Sequence, residues 1–291
     1  ARMGDGSLVV FLQNGTFYRS EDEGATWTEV YDFNPRPSGY LATNLFGHAA
    51  YDNLYIYSEY SSKTAPGDAH RVHLSTDYGR TWNIILNGDG PSGTFHFHDV
   101  CYDPYDQCIW VVAGDQYAAV YRSDDLGRSW VKFGTMGGVT AQFAQVRALP
   151  NCVLFGTDED LQLGWWRLDR QDGARRILTE AEFFGRLEPA WTELLRGGSG
   201  PTPYYRHSHV QYGDDAMVIF GAATFADALG KQQPMTLWMT SDGYEFWPIW
   251  SLNAFNTSNL GISRVVGVGG GRVVADVWGV PEGTLLSVPM P

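Results

Sequence analysis

Five of the seven histidines fall in three short, strand-like runs: His48, His96 with His98, and His207 with His209. Members of each pair are two residues apart, so on a strand both project from the same face. The same runs, and others like them, carry Asp99, Gln142, Gln145, Arg147, Arg206, Ser263 and Arg264. Three kinds of chemistry suit this set. Imidazoles from different strands could converge within about 2 Å of one metal ion. Imidazole, carboxylate, amide and guanidinium groups could together hold a polar ligand. They could also satisfy one another as hydrogen-bonded groups inside a core. The sequence leaves all three open, and no metal is assigned. A strand crossing a core should not be this polar without a partner for each group.

The elements that position these residues show in a repeated knot. Ser20-Glu21-Asp22-Glu23-Gly24-Ala25-Thr26-Trp27 recurs as Ser75 to Trp82 and as Ser123 to Trp130, with the shared pattern S-x-D-x-G-x-[ST]-W. Its fixed residues are Ser20, Asp22, Gly24 and Trp27; Ser75, Asp77, Gly79 and Trp82; Ser123, Asp125, Gly127 and Trp130. A hydroxyl and a carboxylate two residues apart can accept backbone N–H groups in a tight turn. Glycine permits a positive φ there. The tryptophan is expected to open the next strand and pack its ring into the core. Each knot therefore reads as a clasp between two strands.

The knot resembles the Asp-box, or BNR repeat, of β-propellers whose best-known members are sialidases. The resemblance implies an all-β propeller of four-stranded antiparallel blades. It also implies that the boxes are structural and lie at the outer rim. The starts at Ser20, Ser75 and Ser123 give a period of about fifty residues, which suits one blade each. In that family the box joins the third strand of a blade to the fourth.

With this phase, blade one takes Ser7–Gln13, Thr16–Ser20 and Trp27–Tyr31, with no first strand in view. Blade two takes Asn44–Tyr51, Leu54–Glu59, Arg71–Ser75 and Trp82–Leu86. Blade three takes Phe95–Tyr102, Cys108–Ala113, Ala119–Ser123 and Trp130–Phe133. Blade four, without a box, takes Gln142–Leu149, Cys152–Gly156, Gly164–Leu168 and Arg175–Leu178. A helical insertion is expected over 179–201, as two short helices broken by Pro189. Blade five takes Tyr205–Tyr212, Met217–Ala222, Met235–Thr240 and Phe246–Leu252, with a decayed clasp at Thr240 to Trp247. Gly261–Gly267, Arg272–Val277 and Thr284–Val288 remain. Six blades fit this count; five, with a C-terminal strand completing blade one, is the alternative. The whole of 1–291 reads as one propeller domain, part of a longer chain.

On this phase the histidines sit on first strands. The resemblance places ligands at the axis, near those strands, so the candidate site is His48, His96, His98, Asp99, Gln145, Arg206, His207, His209 and Arg264. Sialidases clamp a substrate carboxylate with three arginines and use a Tyr–Glu nucleophile pair with an Asp acid/base. Arg147, Arg206 and Arg264 could mimic part of the clamp. The chain departs from the family elsewhere: it has no Arg-Ile-Pro motif and no Tyr with a partner Glu on an inner strand. No catalytic residue is assigned and no sialidase turnover is expected. A second resemblance, carried by H-x-H-D-V-x-Y-D-P-Y-D-x-x-I-W-V-x-x-G-D and the box after it, is to propeller domains of minor tail proteins of phages infecting actinobacteria. It implies a role at the tail tip in host-surface contact, and a virion (phage tail) or extracellular location.

The net charge of −13 argues against nucleic acid and anionic lipid as partners. No apolar run spans a bilayer and no signal peptide is visible. Cys101 and Cys108 flank a turn and could form a cross-strand disulfide, but three buried free thiols is the preferred reading, and no zinc-type cysteine spacing exists. No cofactor is expected. The leading reading is a module that binds a surface glycan or cell-wall polymer and contacts other tail proteins. A glycoside hydrolase and a purely structural tail component are the alternatives.

Overall fold

The computed structural model describes residues 1–12, 15–33, 47–60, 71–88, 97–114, 118–134, 143–157, 164–170, 178–192, 209–211, 217–222, 225–226, 232–233, 235–252, 261–269, 272–278 and 285–289. They form six antiparallel sheets of three or four strands, a two-stranded hairpin and one short helix. Sheet 1 is β1 (Leu8–Phe11), β2 (Thr16–Ser20) and β3 (Thr28–Asp32). Sheet 2 is β4 (His48–Tyr51), β5 (Leu54–Ser58), β6 (Arg71–Ser75) and β7 (Asn83–Asn87). Sheet 3 is β8 (Phe97–Asp103), β9 (Cys108–Ala113), β10 (Ala119–Ser123) and β11 (Val131–Phe133). Sheet 4 is β12 (Phe143–Ala148), β13 (Cys152–Thr157), β14 (Gly164–Asp169) and β15 (Leu187–Thr192), with helix α1 (Glu180–Arg186) ahead of its last strand. Sheet 5 is β16 (His209–Gln211), β17 (Met217–Ala222), β20 (Met235–Thr240) and β21 (Trp247–Leu252). The hairpin β18 (Phe225–Ala226) and β19 (Gln232–Gln233) lies between its middle strands in sequence. Sheet 6 is β22 (Gly261–Gly269), β23 (Arg272–Trp278) and β24 (Leu285–Pro289). The chain divides into two compact units: residues 1–146 with 177–181, and 147–176 with 182–291.

In the first unit, alternation along each strand builds two cores at once. Leu54 and Ile56 of β5, with Val72 and Leu74 of β6, pack against Phe97, Val100, Ile109, Val111 and Tyr121 of sheet 3. The intervening Tyr55 and Tyr57 face the other way, onto Val9, Phe17 and Phe33 of sheet 1. The middle strands of sheet 2 are thus buried on both faces, which is why Leu54–Tyr57 reads as an unbroken apolar run. Cys101, Cys108 and Cys152 are buried and free. Burial holds the Cys152 thiol up at about 12, with the Asp169 charge adding to it.

The three clasps share one geometry. Ser20 Oγ accepts from Gly24 N (2.8 Å) and donates to Asp22 Oδ1 (2.8 Å). Asp22 then accepts from Thr26 N (2.8 Å) and the Thr26 hydroxyl (2.6 Å). The same bonds recur at 2.7–2.9 Å for Ser75–Asp77–Gly79–Thr81. Ser123–Asp125–Gly127–Ser129 repeats them at 2.6–2.9 Å. Positive φ is needed at two successive positions: Glu23, Tyr78 and Leu126 as well as the glycines after them. The clasp at Thr240 is one residue tighter, with Gly243 N donating to Thr240 Oγ1 (2.9 Å). Asp77→Ala would leave the Thr81 amide and hydroxyl and the Ser75 hydroxyl without their acceptor. It should cost about 1–3 kcal/mol of stability, measured by denaturant unfolding; an unchanged midpoint would contradict the clasp role.

Three expectations are corrected. The box tryptophan precedes the strand instead of opening it, and its burial varies: Trp82 is 9 % exposed, Trp27 40 %. Each indole Nε1 donates to the carbonyl of its own box glycine at 3.0–3.2 Å, which holds the ring across the turn. Whether the ring is then buried depends on the neighbouring sheet: Phe17 and Tyr31 of sheet 1 cover Trp82. Second, Leu187–Thr192 is a strand, not the second helix of an insertion. Pro189 lies on the edge strand of sheet 4 beside a bulge at Ala190, where a missing N–H costs no ladder bond. Third, β15 is the fourth strand of that sheet. Of the expected strand Arg175–Leu178, residues 175–177 lie outside the described residues and Leu178 is not in a strand.

Candidate functional site

In sheets 2 and 3 the connections at the clasp end are short: 52–53, 76–82, 104–107 and 124–130. At the opposite end of sheets 1 to 3 the strands lead into 34–46, 61–70, 89–96 and 135–142, which lie outside the described residues. Two buried polar groups lie beneath that end in the first unit.

The first is the one expected around His98. Its Nδ1 lies 3.0 Å from the Phe143 carbonyl, so Nδ1 carries the proton in this contact. Tyr60 stacks on the imidazole with centroids 6.0 Å apart. Gly114 makes room for the ring, because a Cβ there would overlap His98 Cε1 and Nε2. Asp99 is fully buried and accepts from Val100 N (2.9 Å) and Val146 N (3.0 Å), tying β8 to β12. Gln145 is buried on β12. His98 and Asp99 are therefore hydrogen-bonded groups of a seam, with Tyr60 as an addition from outside the sequence pattern. His48 is exposed, its ring parallel to Tyr55 at 6.1 Å. His209 lies on β16 and Arg264 on β22, both in the second unit. His96, Arg206 and His207 lie outside the described residues.

The second group was not anticipated. His73 on β6 is fully buried, with Nε2 2.7 Å from Glu59 Oε1 and Nδ1 3.1 Å from the Tyr31 hydroxyl. Glu59, also fully buried, accepts from Arg71 N (3.2 Å), and the Arg71 guanidinium stands 3.8 Å away. The Glu59 carbonyl accepts from Phe97 N (3.3 Å). One imidazole thus links sheet 1, through Tyr31, to sheet 2, and Glu59 carries the link to sheet 3. The one local signal was Glu59 itself, a carboxylate closing the apolar run from Leu54.

Neither group presents a hydrolytic pair. Both Asp99 oxygens take backbone donors, and Glu59 faces a buried imidazole. Three carboxylates in the clasps are held below the usual carboxylate range. The Thr26 hydroxyl and amide hold Asp22 down at about 2, and Ser129 does the same for Asp125. Burial opposes the shift at Asp77, but the Thr81 amide and hydroxyl outweigh it and lower that carboxyl too. These pKa values are depressed on folding, so the stability they confer is complete above the ordinary carboxylate range. It is lost as pH falls from about 4 toward 2. The melting temperature should drop steeply across that window; a flat profile would contradict the clasp geometry.

No family model matches the sequence, and no curated protein matches it. Solved structures resemble the fold. A nidogen/laminin complex aligns at TM-score 0.56 and 10 % identity, over 98 % of this chain and 90 % of that one. YCF48 from Cyanidioschyzon merolae aligns at 0.53 and 11 %, over 98 % and 77 %. An ancestral GH74 enzyme aligns at 0.52 and 14 %, over 84 % and 33 %. At these identities the likeness concerns fold alone, and the fold it shows is β-propeller-like.

Proposed function

We propose that residues 1–291 form one six-bladed Asp-box propeller of the sialidase-like class. It acts without catalysis, binding a surface glycan or cell-wall polymer at the tip of a phage tail. The observation that carries this reading is the division of labour within sheets 2 and 3. Their clasp ends are committed to turn hydrogen bonds, while Tyr60 and His98 meet at the opposite end. Six sheets of three or four strands support the blade number. Tyrosine rings beside imidazole and main-chain groups suit the apolar faces and hydroxyls of sugars. The net charge of −13 favours a neutral or cationic polymer over an anionic one.

A glycan array probed with the isolated chain tests the proposal directly. Selective binding to a class of cell-wall or capsular glycan is expected; an array without hits on such glycans would sink it. No hydrolysis of a fluorogenic sialoside is expected either, since Asp99 and Glu59 are engaged as described. Turnover abolished by Arg264→Ala would overturn the non-catalytic reading.

A further inference from the structure

Three sheets meet at the His98 ring. The Glu59 carbonyl accepts from Phe97 N (3.3 Å), so the residues that follow them, Tyr60 after β5 and His98 in β8, are neighbours. Phe143, whose carbonyl takes the Nδ1 proton of His98 at 3.0 Å, opens β12 of sheet 4. All of these residues belong to the first unit.

Two features of sheet 3 seat this ring. His98 stands between the pairs Phe97–Ala113 and Asp99–Val112, so it is the extra residue of a β-bulge. A bulge re-aims a side chain out of the strand's alternation, and bulges gather beside active sites. Buried Asp99 holds the bulge against sheet 4, since its Oδ2 accepts from Val146 N on β12 (3.0 Å). The second feature is Gly114, the residue after β9. Its φ is not positive, so no turn requires glycine there. Space does, because a Cβ would overlap His98 Cε1 and Nε2.

The Phe143 carbonyl, the bulge and the bare glycine together fix the imidazole in place and plane. Tyr60 stacks on it, with the rings 28° apart and their centroids at 6.0 Å. Tyr60 is itself half-buried. A binding side chain held beforehand by the residues behind it loses less freedom when the ligand arrives.

We propose that His98 is the positioning residue of the binding end, a platform that sets the plane of Tyr60, and that Gly114 supplies the room for it. This rests on the reading of Tyr60 as a glycan contact. It makes affinity depend on two residues behind the ring that meets the sugar, and on the docking of sheets 2, 3 and 4 around one imidazole.

Geometry and affinity are measured separately. In the chain labelled with 3-fluorotyrosine, with the Tyr60 signal assigned by Tyr60→Phe, Gly114→Ala should shift that signal. The shift should vanish when Gly114→Ala is made in a His98→Asn background, because the added methyl acts through the imidazole. His98→Asn keeps an N–H for the Phe143 carbonyl and removes the ring. In calorimetry with the glycan selected on the array, Gly114→Ala and His98→Asn should each bind at least fivefold more weakly, and neither should weaken binding further in Tyr60→Ala. A merely structural role would lower the melting temperature and leave affinity as it was. Unchanged affinity in both variants would overturn the positioning role, as would a Tyr60 signal unmoved by Gly114→Ala. If no glycan binds, the glycan reading falls and the fluorine signal alone decides: a shift that depends on His98 upholds the platform, and its absence overturns it. If Gly114→Ala does not fold, His98→Asn decides: weaker binding at a nearly unchanged melting temperature upholds the platform, and unchanged binding overturns it.

Discussion

Gly127→Ala is expected to destabilise the protein by about 2–5 kcal/mol, while Gly24→Ala at the same position of the first box costs only about 1–2 kcal/mol. Both glycines have φ near +85 to +89°, so both substitutions incur the left-handed penalty. They differ in what a side chain would meet. At Gly24 the nearest atom is Trp27 Cζ2, at 3.5 Å. At Gly127 a Cβ would lie 2.5 Å from Ile85 Cβ, too close to its backbone to be relieved by a rotamer change. Ile85 is the extra residue of a bulge in β7, between the pairs Val72–Leu86 and His73–Ile84. The bulge turns its carbonyl out of the ladder, and Trp130 Nε1 donates to it at 2.8 Å. The third box is thus docked on sheet 2 by a hydrogen bond and a glycine-sized contact together. Chemical denaturation of the two variants measures the difference; equal losses would mean that the box closes only its own turn.

Glu59→Ala should cost more, about 3–5 kcal/mol, because it removes the acceptor of a buried imidazole and of the Arg71 amide together. Glu59→Gln separates charge from connectivity. Its amide oxygen can still accept from His73 Nε2, so about 1–2 kcal/mol should be lost. Both values come from equilibrium unfolding. If Glu59→Ala were no worse than Glu59→Gln, the link from Tyr31 through His73 to Glu59 would contribute little to the joining of sheets 1 and 2.

The strands were legible wherever alternation and box chemistry agreed. Leu54–Ser58, Arg71–Ser75, Cys108–Ala113 and Ala119–Ser123 lie within a residue of their expected bounds, since each ends on a clasp or a tight hairpin. Leu187–Thr192 was not legible. Phe183, Leu187, Leu194 and Leu195 satisfy a helical spacing, and a proline argues against a strand unless its place at a sheet edge is known. The exposure of Trp27 was hidden for a related reason: three identical motifs differ only in the neighbour laid against them. Asp99 and His98 stood out in the sequence because polar residues crowd one strand. Tyr31, Glu59 and His73 did not, because a seam between sheets, rather than spacing along the chain, brings them together.

The central claim is that the clasps hold the fold while the opposite end binds. Calorimetric titration of the glycan selected on the array, with Asp77→Ala and Tyr60→Ala compared below both melting temperatures, tests it most directly. Asp77→Ala should melt lower yet bind with unchanged affinity. Tyr60→Ala, losing a ring worth about 1 kcal/mol or more of contact, should bind at least several-fold more weakly with little change in melting. The reverse outcome, binding lost in Asp77→Ala and kept in Tyr60→Ala, would place the site at the clasps and contradict the account.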